Sequence, residues 1–146
     1  MSGADPSPIA QWAEAQRWFI KATEDLEVAV LAMTAKTPLI EPAAYHCRQA
    51  AEKLFKGLLV GKAIDVPRTH DLERLAALLV EPYEEFADDI QALAILSPWS
   101  VVTRYPQLES DVGITRDDVL QAIHGLTELR DKVLALASQT CREPLE

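Results

Sequence analysis

The sequence predicts an all-α fold, a single domain built as an antiparallel bundle of about five helices. Three observations carry this. Apolar residues recur at spacings of three and four along five separate segments, the period of a helix with one buried face. There is no strand candidate of weight and no internal repeat. The links are short, notably between the second and third segments, and short links favour antiparallel neighbours. A chain of 146 residues suits one such domain and buries roughly 70% of its unfolded surface.

Residues 1–8 hold Gly, Pro, Ser and Asp and read as a flexible tail. From Ile9, Trp12, Ala15, Phe19, Ala22, Leu26, Ala29, Val30 and Met33 mark a long first helix that ends before Thr37 and Pro38. A second helix opens around Pro42, since Pro is favoured in a first turn. Its stripe is Ala43, Cys47, Ala50, Ala51, Leu54 and Leu58, with Gly61 at the exit. The small residues permit close approach of a neighbouring helix.

Thr69 is the expected N-cap of a third helix, with Leu72, Leu75, Leu78 and Leu79 facing inward and Pro82 as the stop. A fourth runs from Glu84 to Leu96 on Phe86, Ile90, Leu93 and Leu96, and Pro98 ends it. Trp99 to Gly113 has no clear period, and so long an unpatterned stretch inside a domain is often functional. Thr115 then caps the last helix, with Asp118 in the place of the usual Glu of a capping box. Val119, Ile123, Leu126, Leu129 or Arg130, Val133 and Leu136 carry its stripe to about Ser138. The domain is therefore expected over residues 9–140, with 141–146 as a C-terminal tail.

The balance of 23 acidic against 14 basic residues leaves a net charge of −9. That opposes generic nucleic-acid binding, which needs a basic face, and docking on an anionic membrane. Cys47 and Cys141 form neither a CxxC nor a zinc spacing. Cys47 reads as a small core residue. With no signal-peptide layout and no apolar run near the roughly 18 residues of a membrane span, the expected location is cytoplasmic.

Three stretches stand above helical background. In the run Tyr45 to Lys56, His46, Gln49, Lys53 and Lys56 share one flank of the second helix, and Tyr45, Arg48 and Glu52 share the other. A flank with two lysines, an imidazole and an amide suits phosphate or a partner's carboxylates. The alternative is a solvated face with weak local ion pairs. In Arg68-Thr69-His70-Asp71-Leu72, His70 sits near a helix N-terminus, a natural anion site. The alternative is a capping turn in which His70 bonds backbone or Asp71. In Trp99 to Pro106, Arg104 suits bidentate recognition of phosphate or carboxylate, and Tyr105 suits stacking on a base. The alternative is an Arg that bonds loop carbonyls, with Tyr105 and Pro106 anchoring the loop. No Gly-rich phosphate loop, GxSxG or HExxH occurs, and His46, His70 and His124 lack metal-ligand spacing. Neither a metal nor a cofactor is expected.

Taken in order, the stretches carry a resemblance. Trp18-Phe19-x-x-Ala22-x-x-Asp25-Leu26-x-x-Ala29 precedes Gln49-Ala50-Ala51-Glu52-Lys53-x-x-Lys56, then Thr69-His70-Asp71-Leu72-x-x-Leu75, then Arg104-Tyr105-Pro106. This ordered set, over about residues 10 to 138, resembles the HEPN family (higher eukaryote and prokaryote nucleotide-binding domain). The resemblance implies a helical bundle, commonly a homodimer, often the partner of a minimal nucleotidyltransferase and often part of a toxin–antitoxin module. It also implies one of two activities, nucleotide binding or metal-independent ribonuclease action through an Arg-x(4–6)-His motif. The chain departs from that motif, for the nearest case, Arg116 to His124, has seven residues between.

The expected function is thus that of a non-catalytic HEPN protein that binds a nucleotide, a nucleotidyltransferase, or both. Lys53, Lys56 and Arg104 would hold phosphate beside His70, and Tyr105 would pack on a base. Two alternatives stand beside it. One is a ribonuclease toxin using His70 or His46 with Arg104; the other is a structural dimeric scaffold.

Overall fold

The computed structural model describes residues 7–99 and 113–142, with side chains to residue 139. Five α-helices follow in order, α1 (Pro8–Met33), α2 (Ile40–Gly61), α3 (Leu72–Leu79), α4 (Ala87–Ala94) and α5 (Arg116–Arg142). A single 3-10 turn, Glu84–Phe86, precedes α4, and the described residues contain no strand. The expected all-α bundle is therefore the observed one.

The Ser7 side chain caps α1 by accepting the Ala10 amide at 3.1 Å, and Pro8 sits where a missing N–H costs nothing. Trp12, Ala15, Phe19, Ala22, Leu26, Ala29 and Met33 are buried as expected. Val30 is not; it is 40% exposed, because the buried face drifts in the second half of the helix and turns Asp25 and Ala32 inward instead.

α2 begins at Ile40, two residues before the expected Pro42. Its whole predicted stripe is buried, joined by Phe55 and Leu59. α1 and α2 form the most extensive helix pair in the fold. Their antiparallel sense follows from who meets whom. Trp12 lies against Gly61, Phe19 against Gly57, and Asp25 against Lys53. A Cβ added at Gly57 would stand 2.4 Å from Phe19 Cε1, so the absence of a side chain is what admits the ring. α2 ends in a Schellman motif, with the Ile64 amide bonded to Leu59 O and the Ala63 amide to Val60 O. The left-handed position falls on Ala63 (φ 57°), not on Gly61. The Leu58 carbonyl in the same last turn accepts the buried Tyr83 hydroxyl at 2.6 Å.

The N-cap of α3 is Asp71, not the expected Thr69; Asp71 accepts the Glu73 amide, and Thr69 Oγ1 accepts the Asp71 amide. Leu72, Leu75 and Leu79 point inward, whereas Leu78 is 40% exposed. At 100° per residue it lies about 60° beyond the arc they span. The expected single fourth helix is split into the 3-10 turn and α4, yet Phe86, Ile90, Leu93 and Leu96 are all buried. α5 opens with the reciprocal capping box expected of Thr115 and Asp118, at 2.9 and 3.1 Å. It packs on α1, α2 and α4 through Val119, Ala122, Leu126, Leu129 and Val133, so the stripe runs through Leu129 and not Arg130. No helix among the described residues is long and apolar enough to cross a membrane.

Candidate functional site

α2 lies at the centre of the fold and carries two carboxylate-centred clusters along one side. The larger surrounds Glu52. Arg48 and Glu52 are one turn apart, 3% and 6% exposed, and are among the few buried charged residues described. Arg48 Nη1 donates to Glu52 Oε1 at 2.7 Å. On the other carboxylate oxygen converge Lys56 Nζ at 2.7 Å and His70 Nδ1 at 2.9 Å. Lys56 also lies 5.9 Å from the Trp18 ring centroid on α1, within cation–π range.

The remaining guanidinium donors of Arg48 face backbone. Nη2 donates to the His70 carbonyl, and Nε to the Ser97 carbonyl at 3.4 Å. Ser97 closes the circuit, since its Oγ accepts the Leu72 amide at 3.1 Å and faces Asp71 Oδ1 at 3.3 Å. One buried guanidinium therefore ties α2 to His70, two residues before α3, and to the turn after α4. That rigid fork is what Arg offers and Lys does not.

The smaller cluster surrounds Asp25, which α1 presents at 9% exposure. Its two oxygens meet His46 Nδ1, at 2.8 Å, and Lys53 Nζ. Tyr45 stands edge-on to the His46 ring. No buried side-chain nitrogen or oxygen among the described residues lacks a hydrogen-bond partner. Both clusters are thus satisfied networks, the condition under which buried polar groups are tolerated.

Three cations (Arg48, Lys53, Lys56) face two carboxylates (Asp25, Glu52), and Asp71, next to His70, adds a third, so the network is balanced in charge. Burial alone would raise the Glu52 pKa. Hydrogen bonds from Lys56, His70 and Arg48 outweigh it and hold the carboxyl down at about 2. Glu52 is therefore ionised at neutral pH and can only accept. It follows that His70 Nδ1 carries the proton it shares with Glu52. The His70 side chain is 83% exposed, so its Nε2 edge is held at the surface by a buried frame. An imidazole so placed can donate to a phosphate oxygen when protonated or accept a proton when neutral.

The structure thus joins two of the expected ligand residues directly, for Lys56 and His70 share one Glu52 oxygen. Lys53 belongs to the neighbouring Asp25 cluster. Neither lysine stands ready as an unpaired phosphate clamp, because each already holds a carboxylate. His70 bonds Glu52, and not the Asp71 or backbone partner of the capping-turn alternative. Arg104 and Tyr105 lie outside the described residues.

The sequence assigns no role to Asp25, Arg48 or Glu52, although Arg48 and Glu52 share a flank of α2 and Asp25 and Glu52 stand in the ordered motifs. On the α2 wheel Arg48 falls about 20° from Phe55, and Glu52 about 20° from Leu59, so an i, i+4 ion pair sits on the margin of the apolar arc. Cys47, fully buried, has its thiol pushed up to about 12 by burial and plays no part. No group of three or more His, Cys, Asp or Glu side chains suited to a metal occurs among the described residues. An apolar groove between α4 and α5, lined by Leu93, Leu96, Trp99, Ala122 and Gly125, takes no residue from either cluster.

No curated protein and no solved structure matches the chain at a significant level. A family model does. The HEPN domain matches residues 15–136, a span that contains the cores of the five described helices and both polar clusters. With that span covered, the chain belongs to the HEPN domain family, whose roles are nucleotide-related or ribonuclease-like and toxin-associated.

Proposed function

We propose that this chain is a non-catalytic HEPN protein that binds a nucleotide through its phosphates at the His70 edge. In the cell it acts as a cytoplasmic homodimer, the partner of a minimal nucleotidyltransferase in a toxin–antitoxin pair. The observation that carries the reading is the exposed His70 imidazole, fixed by buried Glu52, the carboxylate that also holds Arg48 and Lys56. Lys53 and Lys56 supply field more than direct contact, since each is already paired. Arg104 and Tyr105 contribute the remaining phosphate and base contacts in this reading. The ligand in this reading is small, because the chain's acidic balance repels long nucleic acids.

The test is a thermal-melt screen against nucleoside mono-, di- and triphosphates, with and without magnesium, on the native chain and on His70→Gln. A ligand at a hundredfold excess over its dissociation constant stabilises the folded state by about 2.7 kcal/mol. The expected result is a shift with one phosphate class that His70→Gln loses. No shift with any nucleotide refutes the nucleotide reading, and co-purification with a nucleotidyltransferase then decides the partner reading.

A ribonuclease reading rests on the same pair, for a carboxylate-oriented imidazole is an acid–base unit that needs no metal. RNA cleavage in EDTA, abolished in His70→Gln, would establish it in place of binding alone.

A further inference from the structure

We infer that Arg48 is a positioning residue for the His70 edge, holding the imidazole through its backbone carbonyl on one side and through Glu52 on the other. The inference rests on the reading that His70 meets phosphate, and it adds the residue that sets His70's geometry.

Three facts carry it. Arg48 is 3% exposed, so no ligand can reach it directly. Its fork spends donors on both handles of the same residue, the His70 carbonyl and the carboxylate that orients the His70 ring. It also bonds the Ser97 carbonyl, while Ser97 Oγ accepts the first amide of α3, so the segment that bears His70 is fastened from two sides. Otherwise His70 would sit in a surface turn between Arg68 and Asp71, both exposed. An imidazole with 83% exposure has no packing of its own to restrain it. Its orientation must come from hydrogen bonds: Lys56 shares the Glu52 oxygen with the ring, and Arg48 alone holds both the other oxygen and the His70 carbonyl.

Lys at position 48 would keep the charge opposite Glu52 but not the planar fork. The Arg48→Lys variant separates orientation from charge. Long-range proton–nitrogen NMR of the imidazoles reads the tautomer directly. In the native chain His70 should show a single Nδ1–H form. In Arg48→Lys it should show a tautomer mixture, while His46, held by Asp25, keeps its signals. Inorganic pyrophosphate, titrated into both, should bind at least tenfold more weakly to the variant at unchanged helical circular dichroism. An unchanged His70 tautomer together with native pyrophosphate affinity overturns the inference.

His70→Gln, run in parallel, tests the underlying reading separately. If it binds pyrophosphate as the native chain does, the phosphate reading falls, and the tautomer result alone judges Arg48. Should Arg48→Lys fail to fold, the native protein decides. The buried Arg48 N–H signals should shift when pyrophosphate is added, and unmoved signals overturn the inference.

Discussion

Replacing Glu52 by Gln removes one charge and keeps the shape, which makes it the sharpest probe of the network. In the native chain one Glu52 oxygen accepts from Arg48, and the other accepts from both Lys56 and His70. In either orientation a Gln amide turns an N–H toward at least one of these donors. The magnitude follows from linkage. Glu52 moves from an ordinary 4.5 to about 2 on folding, and at ~1.4 kcal/mol per tenfold this corresponds to about 3 kcal/mol of stability. Breaking a buried pair by removing one partner costs about 3–5 kcal/mol, so two routes agree. For a chain of this size the melting temperature should fall by about 10 °C. The sign is that of a depressed carboxylate. Its stabilisation is complete above pH 4.5 and disappears as the pH falls through about 2. Urea unfolding followed by circular dichroism at pH 7, and then from pH 5 down to 2, should show the native chain losing its advantage over Glu52→Gln across that window. A loss below about 1 kcal/mol at pH 7, or parallel pH profiles, refutes the reasoning.

Gly57→Ala should lower stability by about 1–3 kcal/mol, because its new Cβ would meet Phe19 Cε1 at 2.4 Å and Trp18 Cβ at 2.9 Å. Gly125→Ala should raise it by about 0.5–1 kcal/mol, since the nearest atom is Leu93 Cδ2 at 3.5 Å and only helix propensity changes. Chemical denaturation of the two variants should move the midpoint in opposite directions. Ala63→Gly should stabilise the chain by about 1 kcal/mol, read the same way, because Ala63 holds the left-handed position of the α2 terminus. The Cys47 thiol should resist thiol-reactive disulfides in the folded protein at pH 8 and react only on unfolding, since burial holds its pKa at about 12.

The helical stripes were legible because each follows a local rule. The stripes that hold Phe19, Leu54, Ile90 and Leu126 each repeat at the helical period, and Thr115 with Asp118 spells a cap within four residues. Misplacements occurred where local rules compete. Thr69 and Asp71 are both good N-caps, and the choice fell to Asp71, whose segment is fastened by Ser97 and Arg48. Leu78 reads as one more leucine of a stripe, yet it lies about 60° beyond the arc that α3 buries. The site was legible as a set of residue types on α2 and before α3, but not as a set of pairs. Asp25 lies 21 residues from His46 and 28 from Lys53, and no sequence spacing announces that an antiparallel crossing will bring them together.

By itself, then, the sequence determined the class of fold, the number and order of the helices and the family, because periodicity, caps and ordered motifs are local properties of the chain. Tertiary structure alone decided that Arg48 and Glu52 are buried, that both lysines are already paired, and that the His70 imidazole faces solvent while bonded to a buried carboxylate. The reason is physical: whether a charge on the margin of an apolar arc is solvated or enclosed depends on which helix packs across it, and that contact exists only once α1, α3 and α4 have closed around α2.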